Sequence, residues 1–528
     1  MKKTQTLNHA PNVRDFNLDN HYSRYYWILI PLLTAVYYIY SQYSSGFYQD
    51  DEVAHFINAR DFWHDPFIIM SNWGKPGWKI FIVLPSLLGY DILQLFNSVI
   101  SAFTVYFTII LSMELGLKNS ILSGIFLAFQ PHFLQLAFRT YAEIFTGLLL
   151  VLTLIYFYRE KYIISSLLCG LAFTVRQEVA LLCIVLAIYM IIKKKYIPVL
   201  FIGLFPAILN LIGFLKTGDM LWIWTEMRSL GEFNLGIERS FFHYFQVYIF
   251  ITGPVVFSLL LVGFTYPFLL DNPQKKLFYS REFVLYLFVI ILFLFQCYLV
   301  AKGTNPGSWR YMLQVSPFAS IIALIGFNEL LKSQNKKYPV WILGTAAVVT
   351  LLFLSKESTG LLITDKPEYL KLAVILVLLA GSLIWIIFPT RVNPKPVISV
   401  AVILTLFYTF YTEKPKPQSP QNITVSKISQ WYNGNIDRSR PVLYNHSLVL
   451  FYAGIFGKDR ANFRILNKQS LNESPSGTLI IWDSHYSYRP EYKNDVQLTD
   501  LQNNPAFRLI NSFISSDKRF AAYIFEKL

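Results

Sequence analysis

From about residue 25 to residue 411 the chain is a succession of apolar runs joined by short polar links. Runs such as "YYWILIPLLTAVYYIY" and "VLYLFVIILFLFQCYLV" approach the roughly 20 apolar residues that cross a bilayer core. With 54% hydrophobic residues, the composition is outside the range of an ordinary soluble domain. The chain therefore reads as a polytopic, all-α membrane protein. Spans are expected near 25–43, 91–113, 120–137, 142–158, 162–176, 178–192, 197–215, 245–270, 283–301, 311–331, 338–354, 369–388 and 397–411, about 13 transmembrane helices with boundaries good to about 2–4 residues. The segment "GWKIFIVLPSLLGY" is apolar but short, and suits a re-entrant or interfacial piece.

The net charge of +14 does not point to nucleic acid. Lys and Arg cluster in the links "GLKNS", "YREKY", "KKKY", "DNPQKKLFYSRE", "KSQNKKY" and "PTRVNPKP", and the positive-inside rule places them all in the cytoplasm if the N-terminus is there too. Residues 1–24 are then a cytoplasmic tail, too polar for an ordinary signal peptide. Cys169, Cys183 and Cys297 lie inside apolar runs, so no disulfide framework is expected.

The opposite face receives the loop 44–79, the link near 138–143, the loop around 216–240, "KGTNPGSWR" and everything after about Thr412. "TEKPKPQSPQ" makes 412–422 a Pro-rich linker. Beyond it, 423–528 contains short apolar runs, "PVLYN", "GTLIIWD" and "FAAYIFEKL", which read as strands of a small α/β extracytoplasmic domain. "NIT" at Asn422 and "NHS" at Asn445 are glycosylation sequons of a kind frequent by chance. His446 and His485 could touch an acceptor, but read more readily as ordinary surface or core histidines.

The loop begins "GFYQDDEVAHFINARDFWHDP", with Asp50, Asp51 and Glu52 side by side. Helical spacing of Val53, Phe56, Ile57 and Trp63 allows a surface helix whose first turn is acidic because of the helix dipole. Other polar groups on the same expected face favour chemistry: Lys75 in "WGKPGW", Arg139, Tyr141 and Glu143 in "FRTYAEIF", Arg176 and Glu178 in "VRQEV", Arg310 and Tyr311 in "SWRYM". Ionised groups facing lipid are costly, so a shared aqueous cavity or mutual pairing accounts for them better. Arg176 and Glu178 in particular can simply pair. A carboxylate can deprotonate an acceptor hydroxyl, and Arg and Lys can hold a leaving phosphate.

These segments resemble the GT-C glycosyltransferases, a superfamily that includes protein O-mannosyltransferases, the lipid A aminoarabinose transferase and the lipid-dependent mannosyltransferases. "QDDEVAHFINAR" is similar to the family's "DE…AR" pattern, with Asp51-Glu52 as the pair and Arg60 as the arginine; "GKPGW" resembles the "KP" that follows, at Lys75. "FRTYAEIF" is similar to the second acidic position, at Glu143. "GLAFTVR" looks like the segment carrying Gly170, Ala172 and Arg176. "RYMLQVSP" resembles the late "RY…P" segment, carrying Arg310, Tyr311 and Pro317. The likeness runs in order over roughly residues 25–330 and departs from the family in the third acid, Asp50, which leaves either Asp50 or Asp51 as the base.

The resemblance implies a GT-C fold over 25–411, a polyprenyl- or dolichyl-phosphate sugar donor with mannose favoured, and a lipid-linked glycan or protein acceptor. Transfer would be by inversion on the extracytoplasmic or lumenal face of a bacterial inner or ER membrane. It places Asp51, Glu52 and Glu143 as catalytic residues. It places Lys75, Arg310, Tyr311, Arg60, Arg139 and Arg176 toward the donor phosphate. A divalent metal such as Mg or Mn, on Asp51 and Glu143, is left open. The rival readings are a transporter or flippase, which would show paired halves with broken helices, and a membrane anchor for the C-terminal domain.

Overall fold

Apolar runs become helices, and their breaks fall where the backbone chemistry requires them. In this computed structural model the described residues are 17–71, 73–232, 239–265, 281–332 and 394–528, with 267, 373, 376, 377 and 380. The expected span near 338–354 lies outside them, and so does nearly all of 369–388. Two compact units are formed.

The first unit comprises Met1–Ala35, Ser98–Ala137 and Ala142–Lys414. Among the described residues of the chain, the helices Tyr90–Glu114, Tyr196–Thr217 and Phe283–Ala301 are long and apolar enough to cross a membrane by length and composition. Only 11% of the most apolar window of Tyr196–Thr217 is covered by protein, as a lipid-facing helix requires. Shorter apolar helices include Ala142–Tyr158, Tyr162–Val175, Gln177–Ile192 and Pro254–Thr265. The described residues thus show an integral membrane protein without establishing thirteen spans.

Two expected spans are broken helices. The stretch 120–137 divides into Ile121–Ala128 and Pro131–Leu136, because Gln130 before Pro131 is extended. His243–Thr252 and Pro254–Thr265 meet at Gly253, at a φ of 79°, a left-handed conformation that favours glycine. Pro254–Thr265 then packs on Ser316–Lys332 through glycines. A Cβ on Gly263 would lie 2.1 Å from the Ile322 carbonyl oxygen, and one on Gly326 2.2 Å from that of Leu259. Such small residues let helix backbones approach closely where lipid supplies no hydrophobic drive.

The second unit comprises Val36–Asn97, Phe138–Tyr141 and Pro415–Leu528. The acidic stretch does form a helix, Asp51–Asp61, burying Glu52, Val53, Phe56, Ile57 and Ala59 on one side. It packs on Pro76–Leu87 and on Ser447–Ala453 of the tail. Edge-to-face aromatic contacts tie loop to tail, with ring centroids 5.7 Å apart for Phe56–Phe451 and 5.4 Å for Tyr90–Phe451. Gly46 donates its N–H to the Lys416 carbonyl at 2.8 Å, and a Cβ there would collide with the Pro417 carbonyl oxygen at 2.0 Å.

After the extended 413–419, the helix Pro420–Asn435 starts at Ser419, whose Oγ accepts from the Asn422 N–H. Asn422 is buried within this helix, unlike an exposed sequon. The three strand-like runs become β1 (Val442–Tyr444), β3 (Leu479–Asp483) and β7 (Ala521–Lys527). With β2 (Phe463–Ile465) and β6 (Phe507–Ile514), they form a sheet in the order β2-β1-β3-β7-β6, beside a separate antiparallel pair of β4 (Tyr488–Arg489) and β5 (Asn494–Asp495). β2, β1 and β3 are parallel, and β7 and β6 add antiparallel. β3, "LIIWD", is buried throughout, as a continuously apolar central strand should be. Leu443, Ile480, Trp482, Val496 and Phe525 share its core, and the Trp482 indole N–H donates to the Val496 carbonyl at 2.9 Å.

Candidate active site

The three consecutive acids of the loop have three different environments. Glu52, fully buried, accepts from the Arg139 guanidinium at 2.9 Å, from the Tyr48 N–H at 3.1 Å and from the Tyr90 hydroxyl. Arg139, also buried, donates its other arm to Ser44 Oγ at 3.1 Å. Tyr141 of the same segment donates to the Gln49 carbonyl at 3.3 Å. The pair Glu52–Arg139 is thus an internal ion pair that stitches the residues before the helix to the segment 138–141.

Asp50 occupies the position before the helix without a side-chain capping bond and accepts from the Tyr486 hydroxyl at 2.5 Å. Asp51 occupies the first helical position and is half-buried, where the positive helix end favours a carboxylate. Arg60, in the last turn, lies 4.3 Å over the Phe456 ring. Asp61 binds the Gly457 N–H at 2.8 Å and Arg460 at 2.5 Å.

Lys75 stands just before the helix Pro76–Leu87 with φ 53° and ψ 63°. A non-glycine residue in the left-handed region, and before a proline, is strained by about 1–3 kcal/mol, and such strain clusters at functional sites. One turn on is Lys79, which the sequence reading passed over inside an apolar segment. It is fully buried, its Nζ makes no hydrogen bond among the described residues, and it stands 4.9 Å over the Trp73 ring. Burial pushes its ammonium down to about 7; Lys75 and Arg460 add repulsion and Asp51 opposes it. The available signal was the spacing: a lysine four residues after Lys75 shares its helical face.

In the first unit a second set of charges collects where helices end. Arg176 is extended between Tyr162–Val175 and Gln177–Ile192. Its guanidinium meets Glu143 at 2.6 Å and Glu178 at 2.6 Å. The Arg310 Nε is 3.9 Å from the same Glu143 oxygen, and both guanidinium groups face the Tyr311 ring, at 4.7 and 5.3 Å. Pairing of Arg176 with Glu178 is therefore realised, with Glu143 and Arg310 joined to it. Three amides that no motif marks in the sequence complete the set. Gln296 and Gln314 donate to Glu178 at 2.9 and 3.1 Å, and Asn305 donates to Gln296 at 2.8 Å. Their signal was polar amides within or beside apolar runs. Gly170 serves packing: a Cβ there would sit 2.2 Å from the Ile202 carbonyl oxygen.

No family model matches the chain, and no curated protein matches it. Two crystal structures of ArnT from Cupriavidus metallidurans are similar to it in fold. One is bound to undecaprenyl phosphate, with a TM-score of 0.58 and 11% identity over 95% of this chain and 98% of that one. The other, in the apo state, gives 0.59 and 11% over the same shares. The chain shares the fold of these ArnT structures, and at this identity the likeness speaks for the fold alone.

Proposed function

We propose that the protein is an integral membrane glycosyltransferase that takes a sugar from a polyprenyl-phosphate carrier. The observation that carries this reading is a fold shared over 95% of the chain with an ArnT structure bound to undecaprenyl phosphate. Transfer takes place on the extracytoplasmic face, where the positive-inside links also place the C-terminal region. Mannose, delivered to a lipid-linked glycan or protein, is the favoured sugar by motif resemblance alone.

Asp51 is the base. It is half-buried at a helix start, where an acceptor hydroxyl can reach it, whereas Glu52 is fully buried and ion-paired with Arg139. Glu52 and Arg139 hold the loop rather than react. Lys75, strained in the left-handed region, and Lys79, a buried amine near it, balance the charge of the departing phosphate. The anionic phosphate favours the ammonium form of Lys79 that burial disfavours. Arg176 and Arg310, with Glu143 and Tyr311, form a second anion-binding group, and Arg310→Ala should weaken donor binding by removing a phosphate contact.

The reaction is a single displacement. The acceptor oxygen gives its proton to Asp51 and attacks the anomeric carbon; the bond to the phosphate oxygen breaks and the lipid phosphate leaves with the electron pair. Purified protein in nanodiscs, given a polyprenyl-phosphate sugar and candidate acceptors, should release the free lipid phosphate and transfer sugar. Movement of intact donor across the bilayer, with no sugar released by wild type or lost in Asp51→Asn, would establish the transporter instead.

A further inference from the structure

The tail histidines meet the first acid of the loop. Donor atoms of Asp50, His446 and His485 all lie within 4.8 Å of one another, with His446 Nε2 3.9 Å from Asp50 Oδ2. All three are set by neighbours. Tyr486 donates to Asp50 at 2.5 Å. Asp483 accepts the backbone N–H groups of His485 and Tyr486 at 2.9 and 2.7 Å, which fixes the turn after β3. His485 stacks on Tyr486 with centroids 4.3 Å apart. His446 immediately precedes the helix Ser447–Ala453, and its ring packs between Tyr486 and Phe520.

A side-chain amide stands across the two imidazoles. The Gln421 amide nitrogen is 2.8 Å from His446 Nε2, and its oxygen is 3.1 Å from His485 Nδ1. His446 is 1% exposed, yet its Nδ1 makes no hydrogen bond among the described residues. The nitrogen turned toward Asp50 and Gln421 is Nε2, so it is Nε2, not the unbonded Nδ1, that stands among the donor atoms of Asp50 and His485.

We propose that Asp50, His446 and His485 form a binding site for a divalent transition metal of zinc's class, with the Gln421 oxygen or a water as fourth ligand. Two imidazoles and one carboxylate are a nitrogen-rich set that suits zinc and disfavours magnesium and calcium, which take oxygen ligands. Metal–ligand bonds of about 2.0–2.2 Å require donor atoms roughly 3.4 Å apart in a tetrahedron. The donors therefore close by about an ångström, through rotation of the rings and of Asp50, as the Gln421 amide turns. Binding would pin the residue that precedes Asp51 to the turn after β3. The binding claim itself does not depend on the reaction proposed above.

The test uses full-length, tag-free protein in detergent, stripped with chelator and titrated with Co2+ by absorption, with Zn2+ content measured by elemental analysis. The expected result is about one ion per chain, with Co2+ displaced by Zn2+. His485→Ala, His446→Ala and Asp50→Asn should each weaken binding at least about 10–100-fold, the range that loss of supporting residues alone produces. Asp51→Asn should bind like wild type, which separates this site from the catalytic reading. Asp50→Asn keeps the size of the side chain, so it guards against a variant that fails to fold. Absence of stoichiometric metal, or equal affinity in wild type and the Asp50→Asn and His485→Ala proteins, would overturn the proposal.

Discussion

Glu52→Gln separates a structural acid from a catalytic one. The substitution keeps the shape of the side chain and removes its charge. Glu52 and Arg139 are buried at 0% and 2% exposure with 2.9 Å between their charged atoms. At an effective dielectric of about 20, unit charges at that distance attract by about 6 kcal/mol. Much of this offsets the cost of taking both groups out of water, so the pair is no large net gain. Removing one partner, however, strands the other, which typically costs about 3–5 kcal/mol. Tyr48 and Tyr90 donate to different Glu52 oxygens, so the amide introduced by Glu52→Gln, with one acceptor oxygen, would keep only one of these bonds as it stands and would leave the guanidinium uncompensated. In a unit of roughly 180 residues, 1 kcal/mol moves the melting temperature by about 2–4 °C, so the expected fall is roughly 6–20 °C. Arg139→Met should fall by a similar amount. The double variant should recover most of the loss, giving a coupling of about 2 kcal/mol or more. The assay is thermal unfolding in detergent, run beside sugar transfer at a temperature where all variants remain folded. A Glu52→Gln protein that melts within about 2 °C of wild type but has lost turnover would refute the structural reading and return Glu52 to the chemistry.

Asp51→Asn should lower turnover by about 10²–10⁴-fold, the usual share of general base catalysis, while donor binding measured by competition stays near wild type; unchanged turnover removes Asp51 as the base. Lys75→Gly relieves a left-handed φ of 53° and should hold or raise the melting temperature while weakening donor binding; unaltered donor binding would mean the strain serves only the turn. Lys79 takes its ammonium pKa down to about 7 from an ordinary 10.5. Between those values the unfolded chain holds more protons than the folded one, so stability should rise with pH across that window. Lys79→Met should flatten that rise, and an identical slope in the variant would show that the amine is solvated. Donor affinity, by contrast, should fall as pH rises through about 7 and the free amine loses its charge; a pH-independent affinity would exclude Lys79 from the phosphate.

The parts legible in the sequence were those that follow from local pattern. Long apolar runs declared membrane helices, "LIIWD" and "AAYIFEK" declared strands, and the acids of "QDDEVAHF" declared a helix start. Each depends on period, hydropathy or dipole, which neighbours in the chain suffice to express. Interruptions were harder. The span 120–137 looked continuous by hydropathy, although Gln130-Pro131 stops it, because an averaged apolar window outweighs one backbone constraint. Lys79 was lost for the same reason, as one charge in an apolar segment.

What the chain determined by itself is a helical membrane protein with chemically capable residues at its helix ends. Only the tertiary structure decided which of those residues neutralise one another. Asp50, Asp51 and Glu52 are equivalent in a one-dimensional reading, each an acid in a first turn. They diverge because Arg139, 87 positions after Glu52, and Tyr486, 436 positions after Asp50, arrive from remote segments. Burial and long-range pairing set the chemistry of an ionisable group, and neither is a property of its neighbours in sequence. The gathering of Asp50, His446 and His485 has the same origin: three ordinary residues become a set of metal donors because loop and tail fold into one unit.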